Sequence, residues 1–473
     1  MMDLCGTWEA LLTSFSAMFT APSFGNFTTL ATGWVLCVGR RTISRVIQFG
    51  EVADDERRHH SIFYRFFSRA SWDADELGAR VFRLLLPLIP DEWGILLVLD
   101  DTLCRKSGPH IWGAGMHHDP LLSSYGRGRK LVKYFSFGHS WVILSVCIPL
   151  PWNTDRGIAI PVGFRLYRSK KQCPPEDYRK RTELASEMVQ IAATWLPPER
   201  TALLVSDTEY ACRTVVLKLP ERFIFVGPLL MNAALYALPT PSNGRGRPPK
   251  KGKRLLSPKQ LIDAKHIPWE HRTIMLYGRP VEVLIKIQTC LWYHVAGGRL
   301  LRMIVTRDPK GRIEDRAYFT TEPKMGADEI ARAFSRRWTQ EEMHRNIKQY
   351  MGLEDPQNGW WRNPRGQRRD ETIPGPQPHA QRGELAVKHT VPFILTTYAL
   401  VVLWYLANGS PKDDVERVRM RAPWFLHKTE PSFGDMLASL RRHIWAARNI
   451  SETTVHQGSG KIDEALEDLL CAA

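Results

Sequence analysis

Two apolar runs that each end in a carboxylate constrain this chain more than any other feature. Ile95-Leu-Leu-Val-Leu-Asp-Asp101 is unbroken apolar sequence closed by acids, and Thr201-Ala-Leu-Leu-Val-Ser-Asp207 repeats the form. Such runs read as strands buried on both faces of a sheet that helices cover. In open α/β sheets, sites gather at the carboxyl ends of strands. Two acids brought there side by side repel, and burial makes the repulsion worse. A divalent cation relieves both problems, since Asp and Glu oxygens suit Mg²⁺ or Mn²⁺ and paired ions serve in-line phosphoryl displacement. For either acid alone, a strand-end turn or a helix cap is the simpler reading; Asp207 stands just before a predicted helix. A third acid is needed to decide.

Composition narrows the partner. The chain has 473 residues, 44% hydrophobic and 10% aromatic, enough for a packed core and for about three domains at roughly 150 residues each. Lys and Arg number 65 against 49 Asp and Glu, a net charge of +16 that points to a polyanion, either nucleic acid or an anionic membrane surface. The most apolar stretch, Val391 to Ala407, carries Pro392, Thr396 and Thr397 and falls short of the roughly 20 residues of a spanning helix. It reads as a buried core helix. Asp3 and Glu9 with no basic stretch do not make a signal peptide, so the expected compartment is the cytoplasm, with no membrane partner. None of the eight cysteines forms a C-x-x-C pair, which excludes a zinc module and a disulfide framework. No phosphate loop spans Gly108 to Gly115 and no Gly-x-Ser-x-Gly occurs, so nucleotide hydrolysis and serine esterase chemistry lack support. His117 and His118 are adjacent, not at the i, i+4 spacing of helical metal ligands, and read as structural or near DNA.

Five regions follow along the chain. Residues 1–92 read as helical. Within them, 41–48 and 60–69 are short amphipathic candidates. In the second, Ile62, Phe63, Phe66 and Phe67 share one face and Tyr64, Arg65, Ser68 and Arg69 the other. A helix-turn-helix-like DNA reader using Arg65 and Arg69, or a plain bundle with a solvated face, fits equally. Residues 93–227 have a β-β-β-α-β-α-β order, with strands at 134–150, 158–167 and 222–226 and helices at 178–196 and 209–219. Residues 228–325 read as an inserted β-rich subdomain with a basic loop. There Arg245-Gly-Arg-Pro248, followed by Lys250, Lys251, Lys253 and Arg254, has the form of a minor-groove arm or of a flexible basic loop. Residues 326–409 return to helix around a polar loop at 362–382, and 410–473 form a helical tail.

The third acid lies in the helix after the insertion. Arg337, Glu341 and Lys348 are spaced by four and seven, which puts them on one helical face, a carboxylate flanked by cations. A solvated charged helix has the same pattern. Here the chain resembles the DDE transposases of bacterial insertion sequences, in particular the group with the signature Y-(2)-R-(3)-E-(6)-K. Phe334, Arg337, Glu341 and Lys348 match it with phenylalanine for tyrosine. Asp101-Thr102 matches the first strand-end acid of that family, and Leu204-Val-Ser-Asp207 the second. The resemblance covers residues 90 to 410, and Gly39-Arg-Arg-Thr-Ile-Ser-Arg45 is also family-like.

The resemblance implies an α/β fold: an RNase H-like mixed sheet flanked by helices, interrupted by the β-rich insertion. It implies a catalytic triad of Asp101, Asp207 and Glu341 holding two Mg²⁺ (or Mn²⁺) ions, which activate water or a DNA 3′-OH and stabilise the leaving oxygen. Asp101 is taken over Asp100 from the Asp-Thr pattern, because strand alternation turns the two to opposite faces. Glu341 is taken over Glu342 from its spacing. Arg337 and Lys348 would bind phosphates, and Trp338 would stack on a displaced base or serve as core. Phe334 lacks the hydroxyl with which the signature tyrosine meets a phosphate. The implied partners are the terminal inverted repeats and target DNA, held by a homodimer in a bacterial cytoplasm, with no small-molecule substrate. Two rivals stand beside this: an inactive DNA-binding protein on the same scaffold, and an RNase H-like nuclease without strand transfer.

Overall fold

The computed structural model describes residues 7–50, 58–107, 111–125, 131–240, 248–356 and 381–452. Helices α1 (Trp8–Thr13), α2 (Ala21–Leu36), α3 (Ile43–Gly50), α4 (Ser61–Ser68) and α5 (Ala74–Leu85) precede the sheet. The first half of the sheet comprises β1 (Ile95–Arg105), β2 (Gly115–His118), β5 (Phe135–Leu150), β6 (Asn153–Tyr167), β7 (Ala202–Ser206) and β8 (Phe223–Pro228). A small hairpin, β3 (Ser124–Tyr125) and β4 (Leu131–Val132), stands apart, and α6 (Arg181–Trp195) and α7 (Arg213–Val216) connect the later strands. There follow α8 (Pro258–Asp263), β9 (Glu270–Leu276), β10 (Arg279–Cys290), α9 (Tyr293–Ala296), β11 (Leu301–Arg307) and β12 (Arg316–Thr320). The chain then runs through α10 (Ala327–Ser335), α11 (Trp338–Tyr350), α12 (Gln381–Asn408), α13 (Pro411–Arg421) and α14 (Phe433–Glu452).

The strands lie in the order β5-β1-β7-β8-β12-β11-β10-β9, with β2 and β6 both on the outer edge of β5. β1 runs antiparallel to β5 and parallel to β7, and β7 parallel to β8. This is the mixed, helix-flanked sheet of an RNase H-like fold. The strands of the β-rich region after β8 continue this sheet. β8 offers an open edge, β12 pairs with it antiparallel, and β11, β10 and β9 follow in turn. The helix expected over 209–219 shortens to Arg213–Val216. Asp207 Oδ1 accepts from the backbone amides of Glu209 and Tyr210, so the chain leaves β7 in a capped turn before any helix starts.

Two cores lie on the two faces of the sheet. On one, Leu97, Leu99 and Leu204 join the N-terminal helices, α6 and α12; on the other, Leu96, Val98 and Val205 meet α10. Residues 1–92 are not set apart from the catalytic region. Phe393 of α12 packs against Phe27, Trp34, Phe66 and Phe67, with ring centroids 5.3–6.0 Å away. α4 buries Phe63, Phe66 and Phe67 as its pattern predicts; Ser68, expected outside, is also buried, its hydroxyl donating to the Tyr64 carbonyl. α12 contains the one stretch among the described residues long and apolar enough to cross a membrane, and 89% of that window is buried inside the protein, as a core helix should be. At Gly78 of α5 a Cβ would sit 1.8 Å from the Val162 carbonyl oxygen, so only glycine allows that helix to lie this close to β6.

The same helices brace the end of α11. Trp34 Nε1 donates to the Met351 carbonyl and the Arg41 amide to Asp355 Oδ2. From the sheet side, the Arg105 amide donates to Glu354 Oε1 and the buried Lys106 ammonium to the Glu354 and Pro356 carbonyls. Phe393 joins α12 to the N-terminal helices α2 and α4. Phe393→Ala is expected to lose about 3–5 kcal/mol, the range of buried Phe truncations. Urea unfolding should show one transition at lower midpoint, with the N-terminal helices and the sheet melting together.

Candidate active site

β1 continues past its apolar run into Asp100 and Asp101, and alternation sends them to opposite faces. The register decides which face matters. Leu97 pairs with Leu204, Val98 with Val205 and Leu99 with Ser206. One step further, Asp100 comes abreast of Asp207, on the face of Val98 and Val205 that α10 and α11 cover. Asp101 points to the other face. There its Oδ1 accepts from the Tyr210 hydroxyl at 3.2 Å, and its Oδ2 lies 3.4 Å from Ser140 Oγ and 3.7 Å from Arg181 Nε.

α11 supplies the third acid. Glu341 in its first turn and Lys348 in its last both suit the helix dipole. Met343 and Ile347 bury its inner face, and the helix packs on β1 and β6. Arg337, at its N-cap, reaches two of the acids: Nη1 is 3.2 Å from Asp100 Oδ2 and Nη2 2.5 Å from Glu341 Oε1. Burial works against its charge, yet Asp100, Glu341 and Asp207 together hold the guanidinium above its ordinary range. Arg337 thus bridges Asp100 and Glu341, with Asp207 near enough to add to the pull on its charge.

One arginine does not neutralise three carboxylates. Burial, and then the Asp207 carboxylate, push Asp100 up to about 8 against the pull of Arg337. Asp207 is likewise raised, by burial and then by Asp101. Among the described residues no three Asp, Glu, His or Cys side chains are spaced to hold one ion as they stand. Arg337 occupies the space between Asp100 and Glu341 that such an ion would share. The donor chemistry nevertheless fits a hard divalent cation: carboxylate oxygens only, three acids against the one guanidinium that bridges two of them.

The remaining expected residues divide. Lys348 donates to the Leu103 carbonyl at 2.7 Å, which ties α11 to β1. Phe334 lies against Tyr318, ring centroids 4.3 Å apart. Trp338 is 48% exposed, so the core reading of this residue is excluded. Arg65 and Arg69 are exposed beside α4. Arg245 and Arg247 lie outside the described residues, as does the loop at 362–380. Lys251, nearby, places its ammonium 4.0 Å from the Tyr236 ring centre. His117 is buried, and desolvation holds its imidazole below its usual range. The six described cysteines are all free.

A cavity of about 390 Å³ that no sequence motif marks lies beside α11. Trp338, Tyr277, Arg156, Arg332, Arg336 and Glu342 are among its lining residues. Tyr277 was detectable: Tyr277-Gly278 is a two-residue hairpin turn, both residues at positive φ, which pushes the tyrosine ring outward.

A sequence profile described as DDE superfamily endonuclease matches residues 15–295, more than half of the chain. The chain belongs to that family. No protein of curated function matches it. The match spans Asp100, Asp101 and Asp207 and stops short of Glu341. Membership in the DDE endonuclease family supports nuclease or transposase activity on DNA, and DDE enzymes generally use divalent metal ions.

Asp100 also sets a pH signature. Between its ordinary value of 3.8 and about 8 the unfolded chain releases a proton that the folded protein retains, so this group withdraws stability as pH rises through that window. Asp100→Asn has no such proton. In EDTA, the stability of Asp100→Asn relative to wild type should therefore climb steadily from pH 4 to pH 8, read from thermal unfolding across that range. His139 and His344, kept near 3 by burial, act in the opposite sense in both proteins and cancel from the comparison.

Proposed function

We propose that this chain is the transposase of an insertion sequence, cleaving transposon ends and joining their 3′-OH ends to target DNA. The observation that carries the reading is the meeting of acids from three separate elements: Arg337 bridges Asp100 of β1 and Glu341 of α11, and Asp207 at the end of β7 follows the residue paired beside Asp100 in the sheet register. In this reading the acids are Asp100, Asp207 and Glu341; the Asp101 of the Asp-Thr pattern gives way to its neighbour because only Asp100 shares a face with Glu341. These three would hold Mg²⁺ or Mn²⁺, two ions in the DDE scheme, whose chemistry is to make an oxygen nucleophilic at neutral pH and to offset charge at phosphorus.

The protein's own residues do the rest. Arg337 keeps the acids together before substrate arrives, then turns toward the scissile phosphate, where a planar guanidinium matches two phosphate oxygens. Lys348 holds α11 against β1, so Glu341 does not drift. Trp338 and Tyr277 offer aromatic faces to an unstacked base beside the arginines of the cavity. Arg65 and Arg69, and the basic segment containing Arg245 and Arg247, would meet the backbone of the inverted repeat and target duplex. The enzyme would work as a homodimer that brings both ends together, in the cytoplasm of a bacterial host.

Labelled duplexes carrying the inverted repeats that flank the coding sequence test this. With Mg²⁺, wild type should leave 3′-OH ends and joined products, and EDTA should abolish both. Asp100→Asn, Asp207→Asn and Glu341→Gln should each lower cleavage by more than about a hundredfold, as removal of several kcal/mol of charge stabilisation does. Cleavage without joining would favour the nuclease reading. Specific binding with no cleavage would favour an inactive scaffold, and full activity in any one variant would remove that residue from the triad.

A further inference from the structure

Asp101 keeps company that a metal ligand would not need. Both oxygens are engaged on the face of the sheet turned away from Glu341. Oδ1 accepts from the Tyr210 hydroxyl, and Oδ2 stands against Ser140 Oγ and Arg181 Nε. The same guanidinium donates through Nε to Ser140 Oγ at 3.1 Å and reaches Glu209 Oε1 through Nη1 at 3.5 Å. Tyr210 and Glu209 belong to the turn that follows β7, the turn whose amides cap Asp207 Oδ1. Tyr210 is fully buried, so its hydroxyl has no water to turn to. Strand β1 therefore grips the Asp207 turn from behind, at two points.

We infer that Asp101 is a positioning residue for the active site, fixing through Tyr210 and Arg181 the turn that presents Asp207 to the acids of the opposite face. This rests on the assignment of Asp100, Asp207 and Glu341 as the metal-holding group. Two adjacent residues of one strand then divide the work: Asp100 faces the reaction, while Asp101 fixes the carboxylate beside it. Asp207 has no other side-chain anchor among the described residues, so its aim depends on the turn. A loose turn would spread the Asp207 carboxylate over several orientations, and affinity for a divalent ion would fall with the fraction correctly aimed.

The test reads Mn²⁺ binding to the full chain, without DNA, by electron paramagnetic resonance. Asp101→Ala and Tyr210→Phe should each weaken Mn²⁺ binding by about 10–100-fold, the usual effect of removing a group that orients a ligand. The double variant should be little weaker than Asp101→Ala alone, because Asp101→Ala already removes the hydrogen bond that Tyr210→Phe removes. Asp101→Asn, which keeps an acceptor for Tyr210, should bind Mn²⁺ at least several-fold more tightly than Asp101→Ala. A merely structural role would shift the melting temperature without this pattern of rescue. Wild-type binding in Tyr210→Phe and Asp101→Ala, with binding lost in Asp207→Asn, would overturn the positioning role and leave the site assignment intact. Binding lost in Asp101→Asn yet kept in Asp100→Asn would make Asp101 the ligand and overturn both. Binding untouched in Asp100→Asn, Asp207→Asn and Glu341→Gln would remove the site itself, and the inference with it.

Discussion

Repulsion among three carboxylates is the constraint around which this protein is organised. Asp100, Asp207 and Glu341 come from elements far apart in sequence, and nothing in their own chemistry draws them together. The sheet register and the packing of α11 force the approach, and Arg337 offsets part of its cost. Burial, and then the Asp207 carboxylate, push Asp100 up to about 8 despite Arg337. Such a site is held by its surroundings, which explains how much of the fold serves to fix α11. Lys348 ties it to β1, Lys106 and the Arg105 amide hold the chain beyond it, and Trp34 and Arg41 approach from the N-terminal helices. Preorganised acids of this kind lose little free energy to rearrangement when substrate binds.

Much of this was legible in the sequence, and the limits have physical causes. Apolar runs ending in acids located β1 and β7, because a strand buried on both faces has no polar alternation to hide its ends. The spacing of Arg337, Glu341 and Lys348 located one helical face, because 3.6 residues per turn leaves little choice. The choice between Asp100 and Asp101 was beyond reach. Alternation says that neighbours point apart but not which face a distant helix covers; α11, more than 200 residues along the chain, lies on the Asp100 side. The Asp of the Asp-Thr pattern, Asp101, accepts from Tyr210 of the turn after β7.

Pairing was the second blind spot. The strand runs at 280–287 and 300–305 were visible by alternation, yet the open edge of β8 is a property of the assembled sheet, so the pairing that joins the β-rich insertion to the main sheet was not. The N-terminal helices show the same effect. The inner face of α4 was readable, whereas its partner, Phe393, lies more than 300 residues away. Trp338 illustrates the reverse case: a residue type that is usually core is exposed here because it opens α11 at the rim of a cavity with Arg336 and Tyr277.

The central claim is that Asp100, not its neighbour, shares a cation with Asp207 and Glu341. Crystals of the full chain soaked in Mn²⁺ address it most directly, since the anomalous signal of manganese marks the ion whatever the enzyme is doing. The account predicts an anomalous peak within bonding distance of Asp100 and Asp207 oxygens, on the face covered by α11, with Arg337 swung away from Asp100. A peak against Asp101, on the face of Tyr210 and Arg181, would contradict it.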